Sequence, residues 1–406
     1  MSPERRLLLE IYQAALEVVN GRRVVGEFLR GRPVASPLYL LAAGKAACAM
    51  ARGAHEALGE HIAAALIVTK HGYAESLPWP VHEAGHPLPD EDSLTAGRRL
   101  AEFVAAMPPQ AGVLVLLSGG ASTLIEILPP GVGLADWQEA NHILLASGLD
   151  IAACNAVRKR LSCLKGGRLA PMLAPRPVLC LAISDVPGDD PATIGSGPLV
   201  ADTAAVALDA LGLPPFLADL LKRAPPMPAA DDAVFRRVRF EVVARLADAT
   251  RAAAAAARRR GHDVRLHPDF VQGDAIETGT RLARQLLAAT PGTVQVWGGE
   301  TTVRLPAQPG RGGRNQSLAL AAARALQGRE RVWLLAAGTD GTDGPTADAG
   351  ALVDGESVAR GEAEGLNVDE ALHQANAGEF LEASGDLVQT GPTGTNVMDV
   401  VLGLRL

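Results

Sequence analysis

A chain of 406 residues exceeds what one hydrophobic core usually organises, so two α/β domains with a cleft between them are expected. With 48% hydrophobic and 20% charged residues it can bury a large core and is too apolar for disorder. A formal net charge of −7 and 3% aromatic residues argue against nucleic acid as a partner, and four cysteines without a CxxC pair read as reduced thiols of a cytoplasmic protein, not as a zinc site.

From Glu4 to Asn20 the apolar residues Leu7, Leu8, Ile11, Ala15, Val18 and Val19 recur at helical spacing, and Gly21 is a stop. This amino terminus reads as an amphipathic helix and not as a signal peptide. Short apolar runs follow, ending in small or polar residues: PLYLLAA before Gly44, AALIVT at 64–69, GVLVLLS at 112–118 and PVLCLAIS at 177–184. Segments of helical pattern, such as 91–107 and 134–162, lie between them. Such alternation implies a mainly parallel, Rossmann-like sheet with helices on both faces. RAPPMPAADD at 223–232 breaks the periodicity and marks a boundary, giving domains 1–236 and 237–406. The second, smaller α/β domain reads as RFEVVA, an Arg/Ala helix at 246–260, DVRLH, a helix at 274–289, TVQVWGG, a helix at 315–327 and VWLLAAG. No run of about 18 uninterrupted apolar residues occurs, so no membrane span is expected.

In open parallel sheets ligands sit beyond the carboxyl ends of the strands, and here glycine and charge follow each strand. Gly44-Lys45 stands at a helix start, where an ammonium opposes the helix dipole. Lys45 is thus either an anion contact or a solvated lysine. Ser118-Gly119-Gly120-Ala121-Ser122 has little bulk, so its amides could approach a phosphate, although steric need at a tight strand exit explains the glycines equally well. Asp185, Asp189 and Asp190 precede Gly195-Ser196-Gly197, which suits either Mg²⁺, acceptance of a hydroxyl proton, or an ordinary solvated turn. In the second half, Glu300 ends a strand, Arg314 opens a helix after a glycine turn, Asp340 and Asp343 form an acidic loop, and Asn396 lies in a polar glycine turn. Arginine there offers a planar fork for carboxylate or phosphate, or else belongs to a mobile basic hairpin.

Neither GxxxxGK[ST] nor a strand-following GxGxxG is present, which weighs against a P-loop ATPase and a standard dinucleotide fold. His82-Glu83-Ala84-Gly85-His86 fits the HExxH string of zinc proteases. That motif needs a helix, and Pro78, Pro80, Pro87 and Pro89 around Gly85 oppose one, so a strand VHEA followed by a turn is expected.

Nine blocks in order, AAGKAA (42–47), AGHPLPDEDS (84–93), LLSGGAS (116–122), LKGGRLA (164–170), SDVPGDDPATIGSGP (184–198), GGETTV (298–303), GRGGRNQ (310–316), GTDGTDGPT (338–346) and TGPTGTNVMD (390–399), resemble the class II glycerate kinases. The resemblance implies a Rossmann-like domain plus a smaller MOFRL-like domain with the active site in the cleft. It also implies ATP-dependent phosphorylation of D-glycerate to 2-phosphoglycerate, with ATP and Mg²⁺ required. Family members have often been labelled hydroxypyruvate reductases, which makes an NAD(P)H-dependent reductase the alternative.

On this resemblance Lys45 and Arg314 meet the charge of the moving phosphoryl or the substrate carboxylate, and Glu300 and Asn396 join them at the substrate. Ser118, Gly119, Gly120, Ser122, Gly195, Ser196 and Gly197 would hold the nucleotide. Asp189 would act as base or metal ligand, with Asp185, Asp340 and Asp343 as further ligands. The partners are small molecules, with neither nucleic acid nor membrane involved; a homodimer is compatible with the sequence. Arg245, Ser317, Ala377 and Gly378 depart from the family pattern.

Overall fold

A computed structural model describes residues 1–147, 149, 151–203 and 208–406. The chain forms two compact units, one of Gly21–Val243 and one of Met1–Asn20 with Ala244–Leu406.

The first unit is built on a six-stranded sheet of β1 (Leu38–Ala43), β2 (Ile62–Lys70), β3 (Val81–Ala84), β4 (Gly112–Leu117), β5 (Val178–Ile183) and β6 (Val238–Ala244), in the order β3-β2-β1-β4-β5-β6. The pairs β3–β2, β2–β1, β1–β4 and β4–β5 are parallel. β4 is buried at all six positions, as a central strand covered on both faces must be, and this is why its sequence is an unbroken apolar run and not an alternating one. Helices Ala47–Leu58 and Glu91–Ala106 follow β1 and β3, the latter capped by the Asp90 carboxylate on the Ser93 amide and by the Ser93 hydroxyl on the Asp90 amide. The helical pattern at 134–162 resolves into Leu134–Ala146 and Ile151–Arg160, with residues 148 and 150 outside those described.

The second unit carries a mixed sheet of β7 (Asp263–Val271), β8 (Thr293–Gly299), β9 (Val332–Gly338), β10 (Gly350–Asp354), β11 (Leu387–Val388) and β12 (Asp399–Arg405), in the order β11-β10-β9-β12-β8-β7. β7 and β8 are parallel, whereas β12 runs antiparallel between β8 and β9. The sequence foreshadowed β7 to β9; the three later strands were not read from it. The Ala-rich helix Leu246–Arg259 buries Ala249, Ala253, Ala254, Ala256 and Ala257, small side chains that let the amino-terminal helix Pro3–Val19 pack close against it.

These units differ from a division at 236/237 in two ways: β6, read from the sequence as the first strand of the second domain, lies at the edge of the first unit's sheet, and the first helix changes unit. The first helix belongs with the carboxyl-terminal unit: it turns Leu8, Ile11, Tyr12, Ala15, Leu16 and Val19 inward, and the Tyr12 hydroxyl donates to the Gly338 carbonyl at 2.7 Å. The Pro-rich stretch near 225 is no linker, because Arg160 and Arg168 donate to the Pro225 carbonyl at 2.9 and 2.6 Å and so tie it to the first unit. Among the described residues no helix is long and apolar enough to cross a membrane.

Candidate active site

In the first unit β1, β4 and β5 run parallel, so the loops after them emerge at one sheet edge. Gly44, with φ of 128°, makes the turn after β1, and a Cβ there would lie 2.1 Å from Ser118 Oγ. The two loops are joined directly. The Lys45 amide donates to the Gly119 carbonyl at 2.9 Å, and the Ala46 amide donates to Ser118 Oγ at 3.0 Å. Ser118 is fully buried and its hydroxyl serves the start of the Lys45 helix, so the loop presents glycine backbone and the half-buried Ser122 instead. Lys45 itself is half-buried.

After β5, Asp189 adopts the left-handed conformation at φ 56° and Ser196 does so at 64°, which for side chains other than glycine is strain held by the surrounding loop. Asp190 secures the turn, accepting from the Ala192 amide at 3.0 Å and the Thr193 hydroxyl at 3.3 Å. The 195–197 loop is fastened to LKGGRLA: the Gly166 amide donates to the Ser196 carbonyl at 3.0 Å, and that of Gly167 to the Gly197 carbonyl at 2.7 Å. Under it lies a buried ion pair, Lys165 Nζ to Glu126 Oε2 at 2.5 Å, with side chains 6% and 0% exposed.

In the second unit Asp399 opens β12 and sits opposite both Gly299 and Gly338, the last residues of β8 and β9. Antiparallel entry of β12 thus brings a carboxylate to the edge where Glu300 and Asp340 emerge. Asp399 receives Arg314 bidentately, Nε to Oδ2 at 2.7 Å and Nη2 to Oδ1 at 3.0 Å, and Glu300 takes Arg314 Nη1 at 2.8 Å. Burial opposes the guanidinium charge, but Asp399 first and then Glu300 and Asp343 hold its pKa above the ordinary arginine value. Asp399 was not among the residues singled out from the sequence, since its partner lies 85 positions away.

Asp343 accepts the Asn315 amide at 3.1 Å and the Gln316 amide at 2.8 Å, so both its oxygens hold the first turn of helix Arg314–Leu326. Burial pushes its carboxyl up to about 7; the two amide bonds pull the other way. Asp340 is buried, and its Oδ1 accepts from the Thr342 amide at 3.0 Å. The Asn396 turn is buried as well and is pinned through Thr339, whose hydroxyl accepts from the Val397 amide at 2.8 Å and donates to the Met398 carbonyl at 2.7 Å.

Of the departures, Ser317 is buried on the Arg314 helix, Arg245 caps helix Leu246–Arg259 through its amide on Asp248 at 3.1 Å, and the Gly378 amide, next to Ala377, donates to the Arg311 carbonyl at 2.8 Å.

Among the described residues one group of three has ligand atoms within 4.8 Å of one another, namely His71, Asp90 and Asp92. It lies on the surface, and Asp90 is already a helix cap. Asp185, Asp189, Asp340 and Asp343 form no such group; the first two lie on one unit and the last two on the other.

Sheets whose strand ends carry glycine loops, a lysine, a buffered arginine and several carboxylates place the chain among α/β enzymes that work at the carboxyl edges of their strands. Comparison with known proteins narrows the class. A domain of unknown function, DUF4147, matches residues 7–213, and the MOFRL family matches residues 293–399. D-glycerate 2-kinase of Thermotoga maritima is 37% identical over 415 residues, with 98% of each chain covered. An Agrobacterium vitis protein bearing a provisional hydroxypyruvate reductase name is 39% identical, with 89% of this chain and 97% of that one covered. The crystal structure of glycerate kinase from Thermotoga maritima superimposes with a TM-score of 0.85 at 35% identity, covering 99% of both chains. The chain belongs to the glycerate 2-kinase family of DUF4147 and MOFRL proteins.

Proposed function

We propose that this protein transfers the terminal phosphoryl group of ATP to the 2-hydroxyl of D-glycerate, giving 2-phosphoglycerate and ADP. The observation that carries this function is the end-to-end match to a D-glycerate 2-kinase, in sequence and in fold. Phosphoryl transfer asks mainly for positioning and for cations against the charge on the moving group. Lys45 is one such cation, held at the strand edge by its amide bond to Gly119. The amides of Gly119 and Gly120, with Ser122, form the low-bulk surface that suits a phosphate, and the 195–197 loop beside Lys165 supplies a second. Arg314 is the other cation, aimed by Asp399 and Glu300, which leaves guanidinium N–H groups for a substrate oxyanion. Asn396 sits in the turn beside them in sequence with Asp399.

Magnesium bound with a nucleotide takes one or two carboxylates and otherwise phosphate and water oxygens, and it offsets charge on the phosphates. Asp185, Asp189 and Asp340 fit that demand as strand-end carboxylates. Asp343 fits it least, because both of its oxygens already hold amides. The strained Asp189 is the residue best suited to orient the 2-hydroxyl or accept its proton.

A cytoplasmic setting agrees with the reduced cysteines. Lys45→Ala and Arg314→Ala should each lower kcat/KM with D-glycerate and MgATP at least 100-fold; near-native turnover in both would refute their assignment. The Agrobacterium relative keeps a reductase in view. Mixing the protein with hydroxypyruvate and NADH decides that point, and no loss of NADH absorbance is expected.

A further inference from the structure

The two histidines of the HExxH string go to different places. His82 lies in β3, where its ring meets the Arg99 guanidinium, Nε2 at 2.9 Å, on helix Glu91–Ala106. Glu83 faces elsewhere again, accepting the amides of Gly72, Tyr73 and Ala74 at 2.8 to 3.1 Å and so pinning the turn after β2. His86 lies past the end of β3 and reaches the edge that carries Lys45 and the 118–122 loop.

The contact is specific. Gly120 is left-handed, with φ of 87°, and a Cβ placed on it would lie 2.9 Å from His86 Cδ2, 3.2 Å from His86 Nε2 and 3.5 Å from Lys45 Cγ. The Nε2 edge of the imidazole and the stem of Lys45 therefore both border the Gly120 position of the glycine loop. A side chain at that position would crowd the His86 ring and touch the Lys45 stem, which gives the glycine a reason beyond its backbone angle.

We infer that His86 is a further substrate-contacting residue of this edge, donating an imidazole N–H to the oxyanion that Lys45 and the glycine loop hold. The assignment rests on the kinase function proposed above and adds to it a residue that none of the strand-end lysine, serine and aspartate positions supplies. An imidazole keeps at least one N–H donor in either protonation state. It thus fixes the direction of an oxygen held at this edge.

The test labels the histidines with ¹³C and follows their ring signals by NMR, with the His86 signal assigned by its loss in His86→Gln. Saturating MgATP with D-glycerate should shift the His86 signal and leave that of His82, turned onto Arg99, unmoved. Assayed with D-glycerate and MgATP, His86→Ala should lose roughly 10- to 100-fold in kcat/KM, the range for one hydrogen bond to a charged group. His86→Gln, which keeps an N–H donor, should recover most of that loss, with unfolding curves like the parent's. A parent that turns over glycerate while its His86 signal stays fixed, or an alanine variant within two-fold of it, overturns the assignment. A parent with no glycerate kinase activity would instead refute the function itself, and this contact with it; measuring the parent first tells the two failures apart.

Discussion

Replacing Asp399 with asparagine is the sharpest perturbation of the second unit. The residue is the main counter-charge of Arg314, accepting two of its N–H groups at 2.7 and 3.0 Å with a side chain only 5% exposed. Asparagine keeps one carbonyl acceptor and places an NH₂ where the other oxygen was. One charge-assisted hydrogen bond is lost, about 1.5–3 kcal/mol. Two facts hold the cost to the middle of that range: the Arg314 side chain is 34% exposed, so water screens part of the loss, and Glu300 still holds Nη1. Asp399→Asn should therefore destabilise the second unit by about 2 kcal/mol, a fall of roughly 4–8 °C for a unit of this size. Urea unfolding followed by the fluorescence of Trp297, buried in that unit, reads the change. A guanidinium loosened in its clamp should also cost about tenfold or more in kcat/KM, because positioning is what this reaction asks of it. Glu300→Gln, at the more exposed contact, should cost less than about 1 kcal/mol. If Asp399→Asn unfolds within about 0.5 kcal/mol of the parent and retains kcat/KM within two-fold, the claim that Asp399 aims Arg314 is wrong.

Other consequences are equally open to measurement. Glu126→Ala leaves Lys165 buried without its counter-charge and should destabilise the first unit by about 3–5 kcal/mol in urea unfolding, whereas a loss under about 1 kcal/mol would mean the lysine escapes to water. Asp343 has a folded pKa of about 7, above the ordinary 3.8, so the folded chain keeps a proton that the unfolded chain gives up. Its contribution is fully present below about pH 4 and lost as pH rises through about 7. Between pH 6 and 8.5 that amounts to roughly 1.4 kcal/mol, which the parent should lose and Asp343→Asn should not; equal pH slopes would refute the raised value.

Much of the first unit was legible in the sequence because parallel strands buried on both faces are continuous apolar runs, and each of the four read from it ends in the loop expected of it. The second unit was less so. β12 is apolar enough to be read as a strand, but nothing local says that it inserts antiparallel between β8 and β9, and that insertion alone delivers Asp399 to Arg314. The first helix announced its apolar stripe but not the partner of that stripe, which lies more than 200 residues on in the Ala-rich helix. The proline-rich stretch near 225 looked like a linker because composition cannot reveal the arginines that bind its carbonyls. Among the candidate site residues, the lysine, the arginine and the glycine loops were proposed from residue type and place at strand ends. The duties of Ser118 and Asp343 could not: each serves a helix start brought to it by the fold, Ser118 the Ala46 amide and Asp343 the amides of Asn315 and Gln316. His86 was set aside with a false protease motif, and only its place over Gly120 shows where it points.

The central claim is the transfer of phosphoryl from ATP to the 2-hydroxyl of D-glycerate. Incubating the purified protein with D-glycerate and MgATP and recording the ³¹P spectrum of the product tests it directly. A 2-phosphoglycerate resonance growing in step with ADP is the predicted result. ATP left intact, or phosphate appearing only on the 3-hydroxyl, would contradict it.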